Sequence, residues 1–233
     1  MIKFNNKELT DIVPVKIEDI VVSPIDMNPV ARQRAINWGA DFVRMNGGTR
    51  SVTVSFALLE MNYTDRENAM DALRTWSNVG NEYTLELPEY ENRHLECAVT
   101  QLPDYSYRKW WENKLKLVFT CFNNPFWTSN EQIEVPCGTV FSIGGSATPL
   151  VQITRNAITP LTNQTYTNGT QSMTFSTIPA GKLTIDLNRQ TAQIGNTSIM
   201  NYYVPTSTWV KPKIGAYQYI NGAGTIKYRE RWV

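Results

Sequence analysis

Histidine, cysteine and net charge are all scarce in this chain of 233 residues, and each shortage argues against a class of function. With the single histidine, His94, a zinc site built from several imidazoles is excluded, and any Ser-His or Cys-His catalytic pair would have to use this residue. Three cysteines without C-x-x-C spacing match neither a disulfide framework nor a zinc site. The net charge of +1 gives no electrostatic argument for a nucleic-acid ligand.

Signals for membrane insertion, phosphate binding and paired-carboxylate catalysis are also missing from the sequence. No window is apolar over the length of a membrane helix, and no apolar run follows Lys3 and Lys7, so we expect folding in a cytosol. The glycines at 144–145 and 222–224 precede strand-like segments, whereas a phosphate loop opens a helix. No two carboxylates are placed across a recognisable cleft. Neither an enzyme nor a bound cofactor is therefore expected.

Alternating apolar residues predict most strands in the first half of the chain. Every second residue of the segment 50–58 is apolar, which is typical of a strand with one buried face. Cys97 and Cys121 fall on apolar faces of predicted strands, where a buried thiol is the expected role. The same alternation occurs at residues 13–17, 83–87, 95–99 and 115–121, and the apolar run 20–22 is expected to extend the strand that begins near residue 13.

One helix is predicted, over residues 64–78. Thr64 and Glu67 have the spacing of a capping box, in which the two side chains satisfy free backbone N–H groups at the helix start. An apolar stripe at helical spacing follows and ends at Trp76.

Short strand-like segments separated by turn residues fill the second half. Glycine–asparagine pairs at 168–169, 195–196 and 221–222 predict hairpin turns, and the pattern favours an antiparallel β-sandwich. The whole chain is thus predicted to be mainly β with one helix, in an N-terminal domain of residues 1–132 and a C-terminal domain of residues 133–233. The strand candidates of the second half are residues 150–153, 173–175, 183–187, 192–194, 217–220 and 226–228.

Residues 24–45, called the arm below, show no clean periodicity and are interpreted as a long hairpin or an extended arm. A connection of this length inside a compact domain is usually functional or partly disordered. Arginine and tryptophan are enriched at protein interfaces, and ordinary surface is the alternative for these positions. The candidate interface residues in the arm are Arg32, Arg34, Trp38 and Arg44.

The stretch FTCFNNPFW at residues 119–127 joins the end of a strand to a proline-bounded turn with two aromatics. It follows FNNKEL at 4–9, RSVTVSF at 50–56 and a helix ending in L-x-x-W. These elements, in this order, resemble the distal tail protein family of siphovirus-type bacteriophages, whose motif F-x-C-x-d-P-[FY]-w is similar to the 119–127 stretch. Asn124 stands where the family has an acidic residue, and both residue types suit the turn. The second half resembles the family's galectin-like C-terminal domain.

This resemblance implies a structural virion protein of the phage tail tip, assembled in the cytoplasm of the bacterial host. Such proteins form a homohexameric ring that joins the tail tube to the baseplate. The N-terminal domain builds the ring and meets the tail tube protein, and the C-terminal domain anchors baseplate or receptor-binding proteins. The bore passes the tape-measure protein and DNA, so neither specific nucleic-acid binding nor a membrane partner is implied.

A carbohydrate-binding module for host cell-wall polysaccharide is the alternative function. Galectins bind sugar through a set that includes histidine, and the second half has none, so that particular site is absent. Another surface would have to stack on the sugar rings, with Tyr202, Tyr203 and Trp209 as candidates, although a sandwich core is expected to use at least one of them. A wall hydrolase is the third hypothesis, and the sequence nominates no essential acid for it.

Overall fold

The computed structural model describes residues 1–26, 28–33, 40–46, 48–59, 62–77, 80–103 and 114–233. The chain divides into two compact units, Met1–Trp127 and Thr128–Val233, called the N-terminal and C-terminal units. The predicted boundary after residue 132 and the predicted roles of the two domains remain predictions.

The N-terminal unit is one antiparallel sheet, a separate hairpin and two helices. The main sheet has the strand order β3-β6-β9-β8-β7-β1-β2. Its elements and those of the hairpin are β1 (Lys3–Phe4), β2 (Lys7–Glu8), α1 (Leu9–Ile12), β3 (Val15–Val22), β4 (Asn28–Gln33), β5 (Ala40–Asn46), β6 (Arg50–Leu58), α2 (Tyr63–Ser77), β7 (Tyr83–Glu86), β8 (Arg93–Gln101) and β9 (Lys114–Cys121).

Strand β6 has the clean alternation that the sequence predicts. The even-numbered residues of the strand, from Arg50 to Leu58, are all buried, and the odd-numbered residues between them are half-buried. It pairs antiparallel with β3 on one side and with β9 on the other, with Val54 opposite both Ile20 and Leu117. Because side chains alternate across a strand, this register directs one continuous apolar face toward the core.

Helix α2 packs its apolar stripe against that face. Leu73 is fully buried, and the Trp76 ring meets Phe4 edge-on, with ring centroids 5.6 Å apart. The Phe4 ring also lies 5.2 Å from that of Phe119, so one aromatic cluster joins β1, α2 and β9. The indole N–H of Trp76 donates to the Lys7 carbonyl at 3.3 Å, which satisfies its only polar atom.

The predicted capping box at the start of α2 is wrong. The helix begins at Tyr63, and the Asn62 side chain is the cap, since its Oδ1 accepts a hydrogen bond from the Asp65 backbone N–H at 2.9 Å. Thr64 lies inside the first turn, and the Glu67 carboxylate accepts from the Tyr63 hydroxyl instead of reaching back to the backbone. Asparagine is as good a cap as threonine, and here it comes two residues earlier.

The arm contains a two-stranded hairpin, β4 paired antiparallel with β5, in agreement with the long-hairpin interpretation. At its base, the Asp26 N–H donates to the Thr49 carbonyl at 2.8 Å. A Cβ atom on Gly48 would lie 1.3 Å from the Asp26 carbonyl oxygen, so only glycine fits at this crossing of two backbones. Residues 46–48 read Asn-Gly-Gly, a turn signal in the sequence, and Gly47 lies outside the described residues.

The C-terminal unit contains a six-stranded antiparallel sheet and two two-stranded sheets. The large sheet has the order β11-β20-β13-β16-β17-β18, and the small sheets are β12 with β19 and β14 with β15. A short strand, β10 (Trp127–Ser129), spans the division between the units. The remaining strands are β11 (Ile133–Pro136), β12 (Val140–Ile143), β13 (Ala147–Ala157), β14 (Leu161–Thr167), β15 (Ser172–Ile178), β16 (Gly181–Asp186), β17 (Thr191–Ile194), β18 (Thr197–Ser198), β19 (Gly215–Tyr219) and β20 (Thr225–Trp232).

The core of the C-terminal unit draws on all three sheets. Ile153 on β13 lies opposite both Ile185 and Ile226, and the three form the floor of the core. Phe175 of β15 and Phe141 of β12 are buried in the same cluster. The prediction of a mainly β fold is confirmed.

Sequence patterning missed several elements. It did not predict β11, β12 and β14, because polar residues in these strands interrupt the alternation of apolar residues. It also did not predict helix α1, because four residues are too few for a periodic signal. The alternation at 83–87 and 95–99 puts His94 in the loop between two predicted strands, but it lies within strand β8. Asn221 and Gly222 do not form a simple hairpin turn, because β19 pairs with β12 and not with β20.

The corrected helix cap can be tested by mutation. We expect Asn62→Ala to lower the free energy of unfolding by about 1 kcal/mol, because it leaves the Asp65 N–H without its acceptor. Thr64→Ala is the matched control and should change the stability by less than about 0.5 kcal/mol, because its side chain is exposed. Chemical denaturation of both variants measures the difference. A larger loss for Thr64→Ala would restore the cap that the sequence alone predicts.

Candidate interaction surfaces

Two of the four predicted arm residues lie in the hairpin. Arg32 is on β4, opposite Asp41 of β5, and Arg44 is on β5, opposite Val30. The other two, Arg34 and Trp38, lie outside the described residues. The register therefore puts cations on both strands of the arm.

Strand β3 is an open edge within the described part of the chain, since it pairs with β6 and with no other strand on its far side. Its register shifts between Ile17 and Asp19, which is the mark of a bulge. Glu18 at this bulge forms an ion pair with Lys114 at 3.7 Å. Bulges and charges are the usual protection of an edge against indiscriminate pairing. Val21, further along the strand, is 52% exposed.

The aromatic turn after β9 is held by a carboxylate and a ring stack. Glu82 accepts hydrogen bonds from the Phe122 backbone N–H and from the Asn123 side chain. The Trp127 ring stacks on Tyr90 with centroids 4.0 Å apart. Asn124 keeps the turn expected for it, because its Oδ1 accepts from the Phe126 N–H.

A row of four residues crosses the end of the N-terminal sheet. Arg50 is opposite Cys121, and Tyr83 is opposite Cys97. Since Ala98 is opposite Thr120, the antiparallel register puts Cys97 opposite Cys121. The row thus reads Arg50, Cys121, Cys97, Tyr83 across β6, β9, β8 and β7.

Arg50 is buried without full compensation. It is 4% exposed, and its Nε and Nη1 atoms have no hydrogen-bond partner. Burial lowers the pKa of its guanidinium, and the electrostatic influence of Cys121 and Tyr90 opposes that shift. A buried arginine that lacks partners costs stability.

Two rows of polar residues cross the outer face of the six-stranded sheet. Thr154 on the central strand β13 lies opposite Thr225 and Thr184, and the row ends at Gln193. A second row runs parallel to it and consists of Lys227, Gln152, Asp186 and Thr191. We call this surface the polar sheet face. Directly opposite residues share a side of the sheet, so these polar groups all point away from the isoleucine floor.

Two depressions lie along the polar sheet face. The larger has a volume of about 490 Å³ and contains Arg155 and Lys182 as its charged residues. The Arg155 guanidinium donates to the Gln164 side chain at 2.7 Å. The other residues that line this depression are Thr154, Asn156, Gly224 and Thr225. No carboxylate lines it, so its chemistry suits hydroxyl-rich or anionic ligands.

The smaller depression, about 250 Å³, has both signs of charge. Asp186 and Lys227 both line it, one on each side of Gln152, and Lys227 forms an ion pair with Glu134 that holds the pKa of this carboxyl below its ordinary value. The alternation of side chains along each strand would have predicted the polar sheet face from the sequence, but only if β13, β16 and β20 had been known to be neighbours.

The three predicted stacking residues do not form one exposed platform. Trp209 is 7% exposed and its indole N–H donates to the Leu187 carbonyl at 3.1 Å, which is the core role expected for at least one of them. Tyr203 packs against Trp209 with centroids 5.5 Å apart, and its hydroxyl donates to the Ser207 carbonyl. Tyr202 is half-buried in a short 3-10 helix, Met200–Tyr202.

The described ranges contain no group of three or more histidine, cysteine or acidic residues arranged to hold a metal ion. Among their helices, none has the length and apolar character needed to cross a membrane. Cys137 is half-buried, and burial raises the pKa of its thiol to about 11.

Comparison with known proteins gives a likeness in structure only. No protein-family description and no curated protein matches the sequence. The fold is similar to that of the SPP1 Dit protein (gp 19.1), described as a paradigm of the hub adsorption apparatus in phages that infect Gram-positive bacteria, with a TM-score of 0.76 and 14% identity. The match covers 100% of this chain and 98% of that one, so the likeness of fold to a distal tail protein is confirmed.

A second similar structure is the phage P2 baseplate in its activated conformation with Ca, at 10% identity. It covers 94% of this chain and 90% of that chain. Its TM-score of 0.43 is too low to support an argument.

The unpaired Arg50 leads to a stability prediction. We expect Arg50→Met to leave the free energy of unfolding unchanged or to raise it by about 1 kcal/mol, because it removes a buried cation with two unpaired nitrogens. Arg66, also 4% exposed but engaged with a partner, is the matched control, and Arg66→Met should lower stability by about 1–3 kcal/mol. Urea denaturation compares the two. Equal losses would mean that Arg50 is compensated in solution.

Proposed function

We propose that this chain is a structural protein of a phage tail, a distal tail protein that forms a homohexameric ring joining the tail tube to the baseplate. The observation that carries the proposal is the fold shared with the SPP1 Dit hub protein over the full length of both chains. The order of the sequence motifs, including the aromatic turn at 119–127, supports it independently. The proposal includes a location at the tail tip of the virion, after assembly in the cytoplasm of the bacterial host.

In this proposal the N-terminal unit builds the ring and meets the tail tube protein, with the bore open to the tape-measure protein and DNA. A closed ring needs two different, complementary surfaces on each subunit. The open edge of β3 and the arm are the features that suit this role. An unpaired strand edge offers backbone donors and acceptors to a neighbour, and a hairpin outside the main sheet has its own strands available for contact.

The C-terminal unit is proposed to anchor baseplate or receptor-binding proteins. Its polar sheet face is broad, ordered and free of large apolar side chains at the eight positions of its two rows. Such a surface fits a partner bound through hydrogen bonds and ion pairs.

The test is the mass of the purified protein by light scattering over a concentration series, with negative-stain images of the largest species. A sixfold ring would weigh six times 26.6 kDa, about 160 kDa, and should show an open centre.

The informative variant replaces residues 28–46 by a short glycine linker. Because the Asp26 N–H already bonds to the Thr49 carbonyl, the ends of the excised segment meet without strain. We expect this variant to fold and to remain monomeric.

A control replaces the exposed Ile158, 89% exposed in the C-terminal unit, by serine and should leave the ring intact. Rings formed by the arm-replaced variant would show that the arm is not the interface. A wild-type protein that stays monomeric both alone and with tail tube protein added would contradict the ring proposal itself.

Binding of host cell-wall polysaccharide is the second candidate function, favoured by the larger depression of the polar sheet face. Threonine hydroxyls, an asparagine amide and the Lys182 ammonium line it, and these groups bind sugar hydroxyls and the anionic substituents of wall polymers. This site differs from the aromatic one that the sequence suggests, since Trp209 is buried in the core.

We expect Lys182→Ala to weaken binding of an anionic wall polysaccharide at least tenfold, measured by sedimentation with purified walls or by calorimetry. Lys211→Ala, an exposed lysine outside this depression, is the control for net charge and should bind as the wild type does. Equal losses in both variants would indicate non-specific charge attraction. If binding is lost in Tyr202→Ala but kept in Lys182→Ala, the polysaccharide binds at the aromatic residues and not in this depression.

A further inference from the structure

The two cysteines of the N-terminal unit face each other across neighbouring strands. The pairing of Ala98 with Thr120 puts Cys97 directly opposite Cys121 on β8 and β9. Directly opposite residues in an antiparallel pair have Cα atoms about 4.5 or 5.5 Å apart, depending on the hydrogen-bonding position. Both values fall inside the range of about 4.4–6.8 Å that a disulfide spans.

Both side chains also point to the same side of the sheet. Cys97 and Cys121 are each fully buried, on the face that carries the core. A hydrogen bond between the two thiols, together with burial, raises the pKa of Cys97. Both cysteines are free thiols in this structure.

A positive charge lies next in the same row. Arg50 is opposite Cys121 on the side away from Cys97, and the two interact electrostatically. Two nitrogens of this guanidinium have no hydrogen-bond partner. Negative charge that develops on the Cys121 sulfur during a reaction would therefore lie beside this cation.

Three residues of the row lie at strand ends, whereas Cys97 lies in the middle of β8. Arg50 begins β6, Cys121 ends β9 and Tyr83 begins β7. Strand ends open locally with much smaller free energies than the centre of a sheet. A buried thiol at a strand end can be protected in the closed state and still react slowly in the native protein.

We propose that Cys97 and Cys121 are a redox pair that closes to a cross-strand disulfide when the protein meets a small-molecule disulfide oxidant. The Cys121 thiolate attacks one sulfur of the oxidant, and the other sulfur leaves as a thiolate that takes up a proton. The Cys97 thiol then loses its proton and attacks the Cys121 sulfur of the mixed disulfide, which releases the second thiol. Overall the two cysteines lose two electrons and two protons, and the oxidant becomes two thiols.

The bond would join β8 to β9 and close the chain between residues 97 and 121. Such a link restricts the unfolded chain, so the oxidised protein should unfold at a higher temperature than the reduced protein. In a reducing cytosol the pair stays as thiols, whereas outside the cell the disulfide is stable. The inference rests on the register of the sheet and holds whether or not the chain forms a ring.

The experiment incubates the full chain with oxidised glutathione under native conditions, blocks the remaining thiols by alkylation, and maps disulfides by proteolysis and mass spectrometry. We expect a linked pair of peptides that contain Cys97 and Cys121, and an unfolding temperature that rises on oxidation and falls again with reductant. Cys137→Ser is the matched control and should keep both results. Cys97→Ser and Cys121→Ser should each lose them, with circular dichroism confirming that the variants fold.

A chain in which only Cys137 reacts, or in which the pair stays reduced after prolonged oxidation, would overturn the proposal. Arg50→Met tests the role of the cation. We expect disulfide formation in this variant to be several-fold slower at neutral pH, because the charge beside Cys121 is gone. The final extent should not change, because the register of the strands decides whether the bond can form. A wild-type rate in this variant would remove Cys121 as the attacking thiol, and a disulfide that never forms in it would mean that Arg50 holds the geometry.

Discussion

Strand β6 lies between β3 and β9, and its two pairings determine which side chains the N-terminal unit buries. Side chains alternate with a period of two, so a slip of one residue would turn Val52, Val54 and Phe56 to the opposite face and bring their polar neighbours into the core. Helix α2 has an apolar stripe that needs this face, and the aromatic cluster of Phe4, Trp76 and Phe119 forms only in this register. The same register also aligns the row from Arg50 to Tyr83.

The sequence was informative where burial is one-sided and uninformative where it is not. Alternation predicted β6 and β9, because each has one face in the core. It failed for β14, where the exposed positions are occupied by Thr, Asn and Gln and few apolar residues mark the buried side. The helix was predicted but its cap was placed at Thr64, since Asn62 and Thr64 are both capable caps and only the path of the chain decides between them.

The candidate sites depend on strand neighbours, which a single sequence does not contain. Cys97 and Cys121 are far apart along the chain and lack C-x-x-C spacing, so the cysteine pattern argued against a disulfide, whereas the register brings them together. The polar sheet face likewise joins residues from β13, β16, β17 and β20. For Trp209 the sequence left two roles open, since its aromatic ring suits a sugar platform as well as a core, and the hydrogen bond to Leu187 identifies the core role.

Arg50 shows that the end of the N-terminal sheet is not arranged for stability alone. A methionine would fill much of the same space without two unpaired buried nitrogens, so the arginine is costly as a packing residue. Residues of this kind are found where a charge has a task, because selection tolerates a local cost when function requires it. The role that the geometry allows for the Arg50 charge is electrostatic. The charge lies next to the one thiol pair in the core of this unit, and this role needs no residue from outside the row. The unit holds this charge in register with Cys121 of β9, at the first residue of β6.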